Sequence, residues 1–139
     1  MMNLKKIYLT FFSVTLSIIA LMYGIQPQWF ASMFLENSSI TTDASHVLRA
    51  VSGLYLSLIL FFVYGIFNSK YTDTAIIVTA IFCLGLALGR TFSIVLDGVP
   101  SPILVVYVLM EYAILPVAYL LLKKSNIEKE SILVMQKVQ

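Results

Sequence analysis

Apolar residues fill four long stretches of the 139-residue chain, with short polar segments between them. The stretches cover residues 7–25, 44–67, 74–96 and 103–122. An α-helix rises about 1.5 Å per residue and needs roughly 20 residues to cross the hydrocarbon core of a bilayer. Every stretch is long enough, so the pattern predicts an all-α polytopic membrane protein with four transmembrane helices.

The connections between the stretches predict how these helices are arranged. Residues 68–73 and 97–102 are short turns, and short connections make consecutive helices antiparallel neighbours. We therefore expect an antiparallel four-transmembrane-helix bundle, formed by a single domain over residues 1–125. Residues 126–139 are more polar and are expected to form a cytoplasmic tail.

The longest connection, residues 26–43, carries an apolar pattern of its own. Trp29, Phe30, Met33 and Phe34 recur at a spacing that places them on one face of a short helix. Trp is favoured at the membrane–water interface, so this helix is expected to lie in the outer interface. It would act there as an anchor, or as a lid over a site beneath it.

Composition and charge are consistent with a membrane protein and predict its orientation. Hydrophobic residues make up 60% of the chain and charged residues 12%, which is too apolar for an ordinary soluble domain. The first stretch is too long for a signal peptide, so we interpret it as a retained helix. If four helices alternate, the lysines of the loops and termini share one side, which the positive-inside rule makes cytoplasmic. We therefore expect a protein of the cell (inner) membrane with both termini cytoplasmic. The lysines are Lys5, Lys6, Lys70, Lys123, Lys124, Lys129 and Lys137.

Several kinds of chemistry are excluded by what the sequence contains. Cys83 is the only cysteine, so the small four-helix thiol oxidoreductases, which need cysteine pairs, are excluded. With one histidine and no Gly-rich phosphate loop, we expect neither a metal site nor a cofactor. The net charge is only +2 and the lysines are dispersed, so nucleic acid is not expected as a partner.

Three charged residues lie inside the apolar stretches at similar depths. Counted from the outer helix ends, Arg49 lies about 9 Å deep, Arg90 about 10 Å and Glu111 about 14 Å. A charge facing lipid near the bilayer centre costs roughly 2.5–3.5 kcal/mol, so ionised residues normally face the bundle interior or a wet cavity. We therefore expect these three side chains to converge in the outer leaflet.

Helical periodicity gives these charges polar companions. His46 shares one stripe of the second helix with Arg49, while Ser93 and Asp97 share a face of the third helix with Arg90. Gly85 and Gly89 form a GxxxG spacing beside that face, which would let another helix approach closely. The second-helix stripe consists of His46, Arg49, Gly53, Ser57 and Tyr64.

Three segments resemble a known family. RAVSGLYLSL (49–58), GLALGRTFSIVLDG (85–98) and the acidic residue of MEYAILP (110–116) are together similar to small four-helix bacterial membrane proteins classed as a domain of unknown function. The resemblance covers the chain from the first helix to the fourth. It implies a fold and the location of a site, but no activity. The matching residues are Arg49, Gly53, Tyr55, Gly89, Arg90, Ser93, Asp97, Gly98 and Glu111.

The charges favour a binding function and leave other functions open. If Glu111 pairs with Arg90, the guanidinium of Arg49 is spare and suits a carboxylate or a lipid phosphate. Tyr55, Tyr107 and Tyr112, with apolar walls, would then hold an acyl or isoprenoid chain. The expected partners are membrane lipids or a small anionic or amphipathic ligand. The candidate ligand-binding residues are Arg49, Arg90, Glu111, His46, Ser93, Asp97, Tyr55 and Tyr107.

Three alternatives compete with ligand binding. The arginines, Glu111 and Asp97 could form a closed ion-pair network that only fixes helix packing, as in a structural or accessory subunit. An enzyme would use Glu111 as a general base with a tyrosine or His46 as the acid, but no paired carboxylates or nucleophile triad accompany them. We therefore assign no catalytic residue. A transporter would have to be a homo-oligomer, because four helices are few for a transport path.

Overall fold

The computed structural model describes the backbone of residues 4–34 and 39–138 and side chains as far as residue 124. These residues form helices and no strand. Four of the five helices contain a segment long and apolar enough to cross a membrane; in α5 this segment is Pro102–Lys124. The helices are α1 (Leu4–Ile25), α2 (Pro27–Phe34), α3 (Thr42–Phe67), α4 (Thr72–Asp97) and α5 (Pro102–Val138).

The residues at two helix ends account for where α3 begins and where α4 ends. Thr41 caps α3, and its side-chain oxygen accepts a 3.1 Å hydrogen bond from the backbone N–H of Ala44. At the far end of α4, Gly98 has a φ of 98°, a left-handed conformation that glycine adopts without a steric penalty. This glycine ends α4 and starts the short turn into α5.

Helices α1 and α3 pack closely because small residues face each other. The Ser52 hydroxyl donates a 2.7 Å hydrogen bond to the Ala20 carbonyl across the interface. A Cβ atom on Gly24 would lie 2.4 Å from the same hydroxyl oxygen, so only glycine fits there without a shift. Further along the interface, the rings of Phe12 and Phe62 meet edge to face at 5.5 Å.

Helix α4 runs alongside α1, and both helices start at the same end of the molecule. Lys5 forms an ion pair with Asp73 there. One turn further, the hydroxyls of Tyr8 and Thr79 are hydrogen-bonded at 2.7 Å. These contacts fix which face of α4 is turned toward α1.

Helix α5 packs mainly against α4, so the packing is less even than a regular four-helix bundle implies. Few residues of α5 are buried; Val108, Ala118 and Leu121 are among them. A groove stays open between α5 and α1, with α4 as its floor. The buried core is consequently concentrated where α1, α3 and α4 meet.

The predicted short helix is α2, but its apolar residues do not share one environment. Phe30 is buried with its ring 4.4 Å from that of Tyr23, whereas Trp29 and Met33 are exposed. Helix α2 therefore covers the end of α1 with one face and presents its tryptophan outward.

The C-terminal segment continues the last helix. The backbone of α5 is helical as far as Val138, without a break at residue 125. The side chains of the predicted tail, residues 126–139, lie outside the described residues.

Candidate functional site

Arg90 and Glu111 form an ion pair between α4 and α5. The Nε of Arg90 donates a 3.0 Å hydrogen bond to Oε1 of Glu111, and the two side chains are 26% and 12% exposed. The short connection between α4 and α5 places the two residues at one level, as the depth count predicts. Oε2 of Glu111 is buried and has no hydrogen-bond partner among the described residues. The pair is thus incomplete on the carboxylate side.

Tyrosines from three helices surround this pair. The Arg90 guanidinium lies 5.8 Å from the centre of the Tyr107 ring, within the range of a cation–π interaction. Tyr23 of α1 is buried within electrostatic reach of the guanidinium on another side. Tyr55 is buried behind Tyr23, with the two ring centres 5.9 Å apart. Aromatic rings and hydroxyls therefore enclose much of the Arg90 side chain.

The ion pair lies in the wall of an open groove of about 130 Å³ between α1, α4 and α5. Its described lining is almost entirely apolar apart from Arg90 and Glu111. Helix α1 contributes a complete wall, which was not predicted because its apolar stretch, residues 7–25, contains no charged residue. The lining residues are Phe11, Phe12, Thr15, Leu16, Ile19, Phe82, Cys83, Leu86, Arg90, Tyr107, Met110, Glu111 and Ile114.

A second, more polar cleft of about 260 Å³ adjoins Arg90 on its other side. It lies between the end of α4 and the start of α5. The Ser93 hydroxyl donates a 2.8 Å hydrogen bond to Oδ2 of Asp97 within it. Arg90 is the described residue that lines both cavities. The cleft is lined by Arg90, Ser93, Ile94, Asp97, Gly98, Val99, Pro100, Leu104 and Val108.

Arg49 and His46 do not join this site, contrary to the expected convergence. Both lie on the exposed face of α3, and among the described side chains Arg49 makes no ion pair. The reason lies in the α1–α3 interface, where Ser52 bonds to Ala20 and turns the face that carries Tyr55 inward. The polar stripe predicted for this helix is therefore directed away from the core.

The structure also separates the predicted small-residue motif from the site. A Cβ atom added to Gly85 or Gly89 would meet nothing within 4 Å, and both residues are exposed. Among the described helices of this chain, none packs closely against these two glycines. The hydroxyl of Tyr112, a residue that was predicted to line the site, lies 3.0 Å from the hydroxyl of Thr91.

A comparison with known protein families assigns the chain to one of them. Residues 4–122 match the family model described as Domain of unknown function (DUF4345). The chain belongs to this family. The resemblance seen in the second, third and fourth apolar stretches is thereby confirmed. No curated protein and no solved structure matches the chain.

For this member of the DUF4345 family, Tyr23 is the residue near the ion pair that the sequence analysis missed. Depth gave only a weak signal, because Tyr23 lies two residues, about 3 Å, from the end of α1, whereas Arg90 lies seven residues, about 10 Å, from the end of α4. A polar-tipped aromatic near a helix end is still a reasonable neighbour for a long arginine side chain. Among the described residues, no group of three or more His, Cys, Asp or Glu side chains could hold a metal ion.

Proposed function

We propose that this protein is an integral membrane protein that binds an amphipathic molecule with an acidic group. The acidic group would contact Arg90, and the hydrocarbon chain would occupy the groove between α1, α4 and α5. The observation that carries this proposal is the position of Arg90 at the junction of an apolar groove and a polar cleft. Ligand pockets commonly combine apolar walls with a few oriented polar groups in this way.

In this proposal, part of the Arg90 guanidinium contacts the ligand. Glu111 engages Nε, and no other carboxylate among the described residues lies within ion-pair distance. A guanidinium carries five N–H donors in a planar fork, which matches the oxygens of a carboxylate or phosphate. A head group could therefore contact the terminal nitrogens without displacing Glu111.

In this proposal Arg49 has a separate role at the membrane surface. It lies seven residues, about 10 Å, from the start of α3, on an exposed face. Long basic side chains near helix ends extend toward the lipid head groups. Arg49 therefore provides a matched control, because it is an arginine at similar depth outside both cavities.

The alternative is a structural role in which Arg90 and Glu111 only join α4 to α5. The direct 3.0 Å contact between them favours this alternative. A buried ion pair is weak evidence for stability, however, because desolvation of the charges offsets much of their attraction. The two possibilities differ in whether a lipid stabilises the protein through Arg90.

The test measures the melting temperature of the purified protein in a neutral detergent. An equimolar mixture of dioleoyl phosphatidylethanolamine and dioleoyl phosphatidylglycerol is compared with dioleoylglycerol, which has the same chains without phosphate. We expect the phospholipids to raise the melting temperature of the wild type and of Arg49→Gln, but not of Arg90→Gln. Equal shifts in all three proteins would leave the packing role as the explanation.

A further inference from the structure

The two cavities beside Arg90 are lined by more acidic than basic side chains among the described residues. Their described charged side chains are Arg90, Glu111 and Asp97, which is one cation and two carboxylates. The second arginine that the sequence placed here, Arg49, lies elsewhere. A ligand that carried only negative charge would therefore enter a region that already has a net negative charge.

The carboxylates of Glu111 and Asp97 each have an oxygen that can still accept a hydrogen bond. Oε2 of Glu111 is buried without a partner among the described residues, and a buried polar atom is normally hydrogen-bonded. Asp97 receives one hydrogen bond, from Ser93 to Oδ2. A carboxylate has about four acceptor positions, so Asp97, which is exposed at the end of α4 where it lines the cleft, retains acceptor capacity.

The charges also follow a definite order along α4. Asp97 lies seven residues beyond Arg90, which corresponds to about 10 Å toward the outer helix end. The cationic group of the site is thus deeper and the anionic group shallower. A phospholipid head group has the complementary order, because its phosphate lies next to the glycerol and its ammonium group lies further out.

We infer that the ligand is a zwitterionic phospholipid whose head group ends in a primary ammonium group. This inference rests on the proposed function. Arg90 binds the phosphate, and Asp97, held by Ser93, accepts hydrogen bonds from the ammonium group in the polar cleft. The acyl chain enters the groove, where Phe11, Leu86 and Met110 line its path.

The inference predicts that the site prefers a lipid with an ammonium head group over one with a hydroxyl head group. Phosphatidylglycerol has the same phosphate but ends in hydroxyls, so it brings a net negative charge to Asp97. A charge-assisted hydrogen bond contributes more than a neutral one, which gives an expected preference of about tenfold for the ammonium lipid. Removing the charge of Asp97 should abolish that preference.

The experiment is a competition between the two lipids, read by mass spectrometry of the intact protein–lipid complex. Equimolar dioleoyl phosphatidylethanolamine and dioleoyl phosphatidylglycerol are added to wild type, Asp97→Asn, Asp43→Asn and Arg90→Gln. Asp43 is the matched control, because it is an exposed aspartate in the first turn of α3 and lines neither cavity. We expect a preference of about tenfold for phosphatidylethanolamine in wild type and Asp43→Asn, and a ratio near one in Asp97→Asn.

Each other outcome has a distinct meaning. Equal binding of both lipids to wild type, lost in Arg90→Gln, would overturn the zwitterion inference and leave the proposed function standing. A preference that persists in Asp97→Asn would overturn the role given to Asp97. Binding that is no stronger in wild type than in Arg90→Gln would overturn both the inference and the proposed function.

Discussion

Glu111 offers Arg90 only one of its two carboxylate oxygens. Oε1 accepts the 3.0 Å hydrogen bond from Nε, while Oε2 is buried without a partner among the described residues. If the pair served helix packing alone, a bidentate contact would satisfy both oxygens and strengthen the link. The one-sided contact instead leaves an acceptor oxygen of the glutamate without a partner among the described residues.

The first prediction concerns the energy of this pair. Arg90→Leu and Glu111→Leu should each lower the free energy of unfolding by ~3 kcal/mol, because each strands a partner charge in a largely buried position. The double variant should lose less than the sum of the two single losses. The free energies of unfolding of the wild type, both single variants and the double variant are measured in mixed micelles with increasing dodecyl sulfate. Strictly additive losses would mean that the two side chains are not coupled.

Counting residues along the chain found this pair because depth and connection length constrain it. The turn between α4 and α5 is short, so residues at equal distances from it must lie at the same level. Arg90 and Glu111 lie seven and nine residues from the turn, a difference of about 3 Å that their long side chains can bridge. The same count placed Arg49 at a similar depth, yet depth does not say which way a side chain is directed.

The direction of Arg49 depends on contacts that the hydrophobic pattern does not contain. Apolar residues occur on every face of α3 beside its polar stripe, so periodicity alone could not separate the face toward α1 from the exposed face. The decision rests on small residues, where Ser52 bonds to Ala20 beside Gly24. The interior face of α3 was assigned to the stripe that carries Arg49, but the face toward α1 is the one that carries Ser52.

The second prediction concerns close packing between α3 and α4. A Cβ atom on Gly65 would lie 2.7 Å from Cβ of Ala75, which is too close for either helix to accept without moving. Gly65→Ala should therefore destabilise the protein by about 1–3 kcal/mol, as overpacking does. The second change Ala75→Gly should restore most of the loss. The measurement is the same unfolding titration.

Gly89→Ala is the control for this substitution. Nothing lies within 4 Å of the added Cβ, and alanine is the better helix former by about 1 kcal/mol. The change should be neutral or slightly stabilising in the monomeric protein. A loss as large as that of Gly65→Ala would show that the face carrying Gly89 is covered, for example by a second copy of the chain.

The third prediction concerns helix α2 as a cover over the end of α1. Phe30 is 3% exposed and contacts Tyr23, so Phe30→Ala should cost about 3 kcal/mol. Trp29, on the same helix, is 46% exposed, so Trp29→Ala should cost little in a detergent unfolding experiment. Similar losses for both variants would contradict the division of α2 into a buried and an exposed face.

The fourth prediction is the orientation in the membrane. The ion pair of Lys5 with Asp73 places the starts of α1 and α4 at one end of the molecule, and Lys70 immediately precedes α4. Positive residues are retained on the cytoplasmic side, so this end should face the cytoplasm. A reporter fluorescent only in the cytoplasm should be active after Gln139 and inactive when inserted after Ile40. Activity at both positions would mean that an even number of spans separates residue 40 from residue 139, whereas four alternating spans place three between them.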